Sequence, residues 1–278
     1  MISGGLWARN IFKDSTPLTP LVSIVTVTFN AEQFLEQALD SILNQTYGNF
    51  ELIVIDGGSI DRTIDIIRQR DDVIDFWVSE KDLGIYDAMN KGLQLARGRW
   101  IGFKNADDWY VSNAIENLVQ ATLLNEAEVF YGNSYSVLNE SPLEVSPFFT
   151  DHNTLGIGPG IDHRSVFFLT EFHNKIPFDL SFKLAADFDV FCRMREYGAK
   201  FFHLDSFISY KRFGGASDGV IILKETFRIN LKYSGVFFAV YSAGKSLFSF
   251  YFLQIMNFTL KIFLGNKRFY AFKSRKLA

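Results

Sequence analysis

Two adjacent carboxylates, Asp107 and Asp108, follow Asn105 in the segment KNADDWY, directly after the apolar run WIGF. Neighbouring carboxylates repel each other, so such a pair indicates either a solvated turn or a place where a cation binds. Asp56 ends another apolar run, ELIVI, and Asp187 stands in the segment AADFDVFCRMR. Carboxylates of these kinds can ligate a hard cation or take a proton from a substrate.

Alternating strands and helices are predicted over the first hundred residues. Two short apolar runs, LVSIVTV at 21–27 and ELIVI at 51–55, each precede a segment that has the apolar spacing of a helix. Strands are also predicted at 74–79 and 99–104, with a helix over about 85–96 between them. This alternation predicts a mixed, mostly parallel α/β sheet with helices on both faces.

A crevice beyond the carboxyl ends of the strands is the expected ligand site of such a sheet. Thr28, Asp56 and residues 105–108 all follow predicted strands, so we expect them to converge there. Asn30 is interpreted as the N-cap of the first helix. The second half is less regular; strands are predicted at 128–133, 164–169 and 200–204, and a helix at 187–197.

The composition bounds the class of protein. With 278 residues, 48% of them hydrophobic, the chain suffices for one large domain with a substantial core. The single cysteine, Cys192, excludes a disulfide framework, and the four histidines show no paired metal-ligand spacing, so we expect a reducing compartment and no structural zinc. The N-terminal segment lacks the pattern of a secretory signal, and a cytoplasmic location is expected.

Residues 220–278 differ in charge from the rest of the chain. They hold ten lysines and arginines against one acid, Glu225, whereas residues 1–219 are net acidic. The longest uncharged run, 246–260, is shorter than the roughly 20 residues of a membrane span, and its pattern is amphipathic. We expect a basic, aromatic-rich helical tail over 220–278 that lies on a membrane beside anionic lipid. Packing of a helical hairpin on the protein's own core or on a dimer partner is the alternative.

Six segments, in their order and spacing, resemble the bacterial glycosyltransferases of family 2. They cover roughly residues 20–217 and read VTVTFNAEQFLEQALDSILNQ, LIVIDGGSIDRT, SEKDLGIYDAMNKGLQLARGRWIGFKNADDWY, HRSVFF, AADFDVFCRMR and FGGAS. The variants GIYDAMNKG and NADD look like those of enzymes that build colanic acid, capsule, O-antigen and related surface polysaccharides. The resemblance implies a Rossmann-like GT-A fold over 1–219, a nucleotide-diphosphate sugar donor, most often a UDP-sugar, inversion at the anomeric carbon, and Mn²⁺ or Mg²⁺.

The resemblance also implies roles around the nucleotide. Asp107 aligns with the metal ligand of the family's Asp-x-Asp motif, and Asn105 stands where the first aspartate usually is, which lowers the charge of the site. Asp56 would hydrogen-bond the nucleobase, although Gly57 replaces the second acid of the common Asp-Asp-Gly-Ser. A hard cation held there would stabilise the negative charge of a departing nucleoside diphosphate.

Four further residues are candidates for contacts with the donor. Thr28 and Asn30 resemble residues that line the nucleotide, and a plain helix cap is the alternative for Asn30. Asp87 and Lys91 lie four residues apart on a predicted helix and would reach the donor's sugar or phosphates. An ordinary ion pair between them is the alternative.

Asp187 matches the family's catalytic base. An acceptor hydroxyl has a pKa far above 7, so a carboxylate must take its proton as the new bond forms. Arg193 or Arg195 is expected to hold Asp187 in place, and Asp189, two residues further along the helix, is interpreted as structural.

The remaining candidates concern the acceptor side and a loop. His163 resembles a histidine that lines the acceptor or donor sugar pocket, and a core histidine is the alternative. Gly214, Gly215 and Ser217 resemble a flexible loop that closes over the pyrophosphate, with a simple turn as the alternative.

Together these features predict an inverting, metal-dependent glycosyltransferase, peripherally attached to the inner face of the cell membrane, that extends a lipid-linked saccharide in surface polysaccharide biosynthesis. No nucleic-acid partner is expected. A degenerate relative that only binds nucleotide sugar, or a scaffold of a polysaccharide assembly complex, is the alternative. A nucleotidyltransferase would favour a glycine-rich basic signature, which residues 26–30 lack, and no G-x-G-x-x-G of a dinucleotide-dependent oxidoreductase follows the first strand.

Overall fold

One mixed sheet carries the fold. The computed structural model describes residues 1–140, 143–148, 150–151, 160–212 and 220–244. Within them the strands are β1 (Ile2–Gly4), β2 (Val22–Thr28), β3 (Phe50–Asp56), β4 (Phe76–Ser79), β5 (Trp100–Asn105), β6 (Trp109–Tyr110), β7 (Val129–Glu140), β8 (Leu143–Phe148), β9 (Val166–Leu169) and β10 (Phe201–Arg212). The α-helices are α1 (Leu35–Leu43), α2 (Thr63–Arg68), α3 (Ile85–Leu95), α4 (Ala114–Leu124), α5 (Thr170–Asn174), α6 (Ala186–Glu196) and α7 (Val220–Tyr233).

The strand order is β1-β4-β3-β2-β5-β9-β7-β10-β6, and β8 pairs with β7. The central unit β4-β3-β2-β5 is parallel, as the alternation of strands and helices predicts. Beyond β5 the sheet is mixed, because β9 runs antiparallel to both β5 and β7 while β10 is parallel to β7. In the parallel unit Thr28 pairs with Asp56, and Val27 pairs with Asn105. Thr28, Asp56 and Asn105, the last residues of β2, β3 and β5, therefore lie at the same end of the sheet.

Both faces of the central strands are buried, since every residue of β2 and β3 is buried. Successive side chains of a strand point to opposite faces. Val25 and Val27 accordingly pack in one core with α3 and α6, and Val22 and Ile24 pack in the other with α1, α2 and α4. This burial on both faces explains the nearly continuous apolar runs in the sequence.

Helix α7, the first part of the predicted tail, packs against α6. The carboxylate of Glu225 accepts three consecutive backbone N–H groups, those of residues 183–185, at 2.8, 2.9 and 3.0 Å. The Tyr233 hydroxyl donates to Asp189 at 2.9 Å, and Ile229 is fully buried in the core beside α6. Residues 220–233 thus share a core with the preceding domain. A tail that is separate from the catalytic domain stays a prediction for the residues after 233.

Residues 235–244 form a further helical segment. Its exposed apolar side chains are Val236, Phe237, Phe238, Val240 and Tyr241. Among the described helices, none combines the length and the apolar character needed to cross a membrane. Residues 245–278, and with them most of the predicted tail, lie outside the described part of the chain, as do Gly214, Gly215 and Ser217.

Candidate active site

A cavity of about 670 Å³ opens beyond the carboxyl ends of β2 and β5. This volume lies in the range of small-molecule sites. The predicted site residues that line it are Thr28, Asn30, Asn105, Asp107, His163 and Asp187. Thr28 and Asn105 end β2 and β5, and Asn30 and Asp107 lie in the segments that follow these strands. The 3-10 turn before β9 supplies His163, and the first turn of α6 supplies Asp187.

Asp187 accepts hydrogen bonds on both carboxylate oxygens. The Tyr86 hydroxyl and the backbone N–H of Phe188 donate to Oδ1 at 3.1 and 2.9 Å, and His163 Nδ1 lies 3.0 Å from Oδ2. Burial by itself would raise the pKa of Asp187, but the hydrogen bond and charge of His163, together with the other two donors, lower it below its usual value. The carboxyl group is therefore ionised near neutral pH, which is the form that accepts a proton.

The expectation that Arg193 or Arg195 holds Asp187 is wrong. Arg193 donates instead to Asp189 Oδ2 at 2.6 Å and to the carbonyl of Pro177. Asp189 is fully buried and also accepts from Tyr233, in line with its interpretation as structural. The difference follows from helix geometry, because residues four apart share one face of α6 whereas Asp187 faces the cavity.

The two carboxylates of the NADD segment have different surroundings. Asp107 lines the cavity. Asp108 is 2% exposed, and its Oδ2 accepts from Arg164 Nε at 2.8 Å and from Asn105 Nδ2 at 3.1 Å. The cation beside Asp108 is therefore the guanidinium of Arg164. Of the two carboxylates in this segment, only that of Asp107 is available to a ligand in the cavity.

A buried network of charges underlies this side of the cavity. Asp162 pairs with Arg164 Nη1 at 2.8 Å and with Lys211 Nζ at 3.3 Å, and these attractions outweigh burial and hold its pKa well below the usual range. Lys104 is fully buried and donates to the carbonyl of Arg164 at 2.8 Å; burial lowers its pKa to about 7 against the attraction of Asp108. Arg164 and Lys211 also line the cavity, so its wall carries positive charge.

A divalent cation fits this site through few protein ligands. Asp107 offers a carboxylate, and Asn105 Oδ1 is buried without a hydrogen-bond partner in the described structure. Metals of nucleotide sites are often held by one or two carboxylates, with phosphate oxygens and water completing the shell. Because the described residues contain no group of three or more His, Cys, Asp or Glu able to hold a metal, a cation here would depend on the ligand's own oxygens.

Thr28 and Asn30 lie on the β2 side of the cavity. Thr28 Oγ1 is buried and has no hydrogen-bond partner within the described residues. Asn30 has a φ of 47°, a left-handed conformation that asparagine tolerates, and its Oδ1 accepts the N–H of Ile60 at 3.0 Å. Since α1 begins only at Leu35, the interpretation of Asn30 as its N-cap is wrong.

Three predicted donor contacts lie outside the cavity lining. Asp56 is fully buried, and its Oδ2 accepts from the N–H groups of residues 58–59 and from the Ser79 hydroxyl. Lys91 Nζ forms ion pairs with Glu80 at 2.9 Å and with Asp87 at 3.4 Å. The predicted contacts of Asp56, Asp87 and Lys91 with a donor stay predictions, as do those of Gly214, Gly215 and Ser217.

Sequence reasoning missed Tyr86, Arg164, Lys211 and Asp162. Arg164 directly follows the predicted His163, and Tyr86 stands in the quoted GIYDAMNKG segment. The sequence therefore places both near predicted site residues, but it does not show which side chains they contact. Lys211 and Asp162 had no such signal, because the partners of a charge depend on how distant strands align.

The chain is similar in sequence to known proteins. The family model described as glycosyl transferase family 2 matches residues 23–174. A PGL/p-HBAD biosynthesis glycosyltransferase of Mycobacterium bovis is 32% identical over 222 residues, which cover 73% of this chain and 81% of that protein. WfgD of Escherichia coli, a UDP-Glc:alpha-D-GlcNAc-diphosphoundecaprenol beta-1,3-glucosyltransferase, is 34% identical over 146 residues, covering 50% of this chain and 57% of that protein.

Two solved structures share the fold. The mannosyltransferase PcManGT from Pyrobaculum calidifontis, in complex with GDP-Man and Mn²⁺, has a TM-score of 0.61 at 15% identity and covers 95% of this chain and 86% of its own. S. aureus TarS in complex with UDP-GlcNAc has a TM-score of 0.60 at 17% identity, and the match covers 75% of this chain and 64% of that chain. The fold is that of GT-A glycosyltransferases, and the chain belongs to glycosyl transferase family 2 and is a glycosyltransferase.

Proposed function

We propose that this protein transfers a sugar from a nucleotide-diphosphate donor to a hydroxyl group of a saccharide acceptor, with inversion at the anomeric carbon. One observation carries the proposal: a single cavity is lined by an ionised carboxylate, Asp187, that accepts three hydrogen bonds, by a second carboxylate, Asp107, and by the cations Arg164 and Lys211. The first can take a proton, and the second group of residues can hold a diphosphate.

On the acceptor side, Asp187 is the proposed general base. As the acceptor oxygen bonds to the anomeric carbon, its proton passes to Asp187, and the bond from that carbon to the diphosphate breaks with its electron pair on the leaving oxygen. One such displacement inverts the anomeric centre. Tyr86 and His163 bind different oxygens of the carboxylate, which fixes its orientation for the transfer.

On the donor side, the leaving diphosphate gains negative charge. Arg164 and Lys211 line the cavity, and charge-assisted hydrogen bonds from such groups stabilise developing phosphate charge. A bound Mn²⁺ or Mg²⁺, held by Asp107 and Asn105, would supply further positive charge at this position. Thr28 and Asn30 are proposed to contact the nucleoside.

The donor and acceptor classes are proposed from similar proteins. WfgD is named as using UDP-Glc and a diphosphoundecaprenol-linked acceptor, and TarS was solved with UDP-GlcNAc. We infer a UDP-sugar donor, a lipid-linked saccharide acceptor and a role in surface polysaccharide biosynthesis. Attachment to the cytoplasmic membrane face is supported by the exposed apolar side chains of residues 235–244 and by the seven lysines and arginines of residues 245–278.

A thermal-shift titration tests donor binding. UDP, GDP and dTDP are added with and without Mn²⁺ to the wild type and to Asp107→Asn, since a ligand that binds only the folded state raises the midpoint of unfolding. We expect a shift for UDP that grows with Mn²⁺ in the wild type and loses its metal dependence in the variant. Asp72→Asn, an exposed aspartate outside the cavity, is the control. No shift with any nucleotide would contradict the proposal and favour a scaffold.

A further inference from the structure

Arg212 ends β10 next to the turn that carries Asp107. β10 runs antiparallel to β6, and Tyr210 pairs with Trp109. The chain beyond Tyr210 therefore runs back alongside the residues before Trp109. There Arg212 Nη1 donates to the backbone carbonyl of Asp107 at 2.5 Å. A guanidinium thus anchors the backbone of the residue whose carboxylate lines the cavity.

The guanidinium of Arg212 is itself held in place. Its central carbon lies 4.5 Å from the ring centroid of Phe34 and 4.6 Å from that of Trp109, distances at which a cation is attracted to an aromatic ring. Its Nη2 donates to Oε1 of Gln37, in the first turn of α1. A planar group with several N–H donors can lie against rings and donate to two acceptors at once, which the ammonium group of a lysine cannot do in the same geometry.

Asp108, the next residue of this turn, is anchored separately. Its carboxylate accepts from Arg164 at 2.8 Å, and its backbone N–H donates to the carbonyl of Asn105 at 3.2 Å. Two guanidinium groups thus hold consecutive residues, Arg164 through a side chain and Arg212 through a backbone carbonyl. The place of the Asp107 carboxylate follows from that of its backbone, so both contacts restrict where it meets a ligand in the cavity.

We propose that Arg212 is a positioning residue for the divalent cation of the donor site, an inference that rests on the proposed function. Asp107 is the carboxylate proposed to hold this cation, and a cation with few protein ligands depends on how each of them is oriented. Charge alone would act in the opposite direction, because a guanidinium repels a nearby divalent cation. The sign of the change in metal affinity therefore separates positioning from electrostatics.

The test titrates Mn²⁺ into the full chain by calorimetry, with and without UDP. In Arg212→Gln we expect the affinity for Mn²⁺ in the presence of UDP to fall by about 10–100-fold, as for other residues that orient a metal ligand. The affinity for UDP without metal should stay near the wild-type value, because Arg212 is not among the residues that line the cavity. Arg212→Lys keeps the charge but loses the planar donors, so it should behave like Arg212→Gln.

Two further variants separate this effect from a loss of folding or of charge. Gln37→Ala removes the acceptor of Nη2 at an exposed position of α1, and it should lower the affinity for Mn²⁺ by a smaller factor. Arg70→Gln removes the same charge and breaks an ion pair with Asp40 outside the cavity. Its affinities for Mn²⁺ and UDP should equal those of the wild type.

An affinity for Mn²⁺ in Arg212→Gln equal to or above that of the wild type would overturn the inference alone and leave the proposed sugar transfer intact. If Arg212→Gln does not fold, as judged by its midpoint of unfolding, an unchanged affinity in Gln37→Ala would have the same meaning. A wild type whose binding of UDP gains nothing from Mn²⁺ would overturn the role of the cation in the proposed function, and this inference with it.

Discussion

The acid side of the pH profile should report the surroundings of Asp187. Hydrogen bonds from His163, Phe188 and Tyr86 overcome the effect of burial and lower its pKa. A group with a lowered folded-state pKa stabilises the fold above its unfolded pKa, and this contribution is lost as pH falls through the folded-state value. Activity that requires the ionised carboxylate should therefore persist into mildly acidic solution and fall only below the usual range of an aspartate.

Tyr86→Phe is predicted to move that acid limb to higher pH. The change removes one hydrogen bond that lowers the pKa of Asp187, and loss of its positioning should reduce kcat at neutral pH by up to about tenfold. The KM for the donor should stay near its wild-type value. Tyr47→Phe, which loses a bond to the Pro20 carbonyl outside the cavity, serves as the matched control. Identical pH profiles for the two variants would show that Tyr86 has no part in positioning the base.

Single site residues could be predicted where a motif fixes both type and position. Asp107, His163 and Asp187 were chosen in this way, and all three line the cavity. Tyr86 could not be assigned a partner, because its hydroxyl meets Asp187 across 101 residues of chain. The different surroundings of Asp107 and Asp108 could not be predicted either, because they depend on the position of Arg164, which lies in the 3-10 turn before β9.

At the scale of elements, Glu225 links α7 to the approach of α6. Its carboxylate accepts the N–H groups of residues 183–185, and Asp187 follows directly in the first turn of α6. Through these three hydrogen bonds, helix α7 restricts the loop of residues 183–185, which leads to the proposed base. The position of Asp187 is thus set partly by the chain that follows the catalytic segments.

Glu225→Gln is predicted to destabilise the fold by about 1–3 kcal/mol, because one charged oxygen is replaced by an NH₂ group that cannot accept the backbone donors. Denaturant or thermal unfolding measures the loss, and kcat should fall with it. Glu171→Gln breaks only an exposed pair with Lys175, so it should change stability by less than about 0.5 kcal/mol. If the two variants have the same free energy of unfolding, the hydrogen bonds of Glu225 to residues 183–185 do not stabilise the fold as described.

The parallel unit β4-β3-β2-β5 could be predicted because each strand there is a distinct apolar run followed by an amphipathic helix. The short strands β1 and β6 were not predicted, since two or three residues carry too little pattern. Helix α7 was assigned to the tail by charge alone. The charge pattern does not reveal that Ile229 and Glu225 are buried beside α6. Tertiary contacts, which the composition of a segment does not show, place this helix in the domain.

At the scale of the whole molecule, the proposed membrane attachment joins an apolar helical surface to a basic chain end. The full chain is predicted to co-sediment with vesicles rich in anionic lipid, and less so as salt rises toward 1 M, where the Debye length is about 3 Å. Phe237→Ser should weaken binding, because Phe237 is 76% exposed on residues 235–244. Leu124→Ser, at a side chain 84% exposed on α4, is the control. Equal binding to neutral and anionic vesicles at all salt concentrations would contradict the attachment.

The most direct test of the central claim is the turnover of Asp187→Asn. The amide keeps the size of the side chain but cannot take a proton, so transfer from a UDP-sugar should slow by about 10²–10⁴-fold. The thermal shift produced by UDP should remain, since the donor contacts proposed for Asp107, Arg164 and Lys211 are untouched. A variant that binds UDP and transfers sugar at the wild-type rate would show that Asp187 is not the base, and the account of this cavity as the site of transfer would be contradicted.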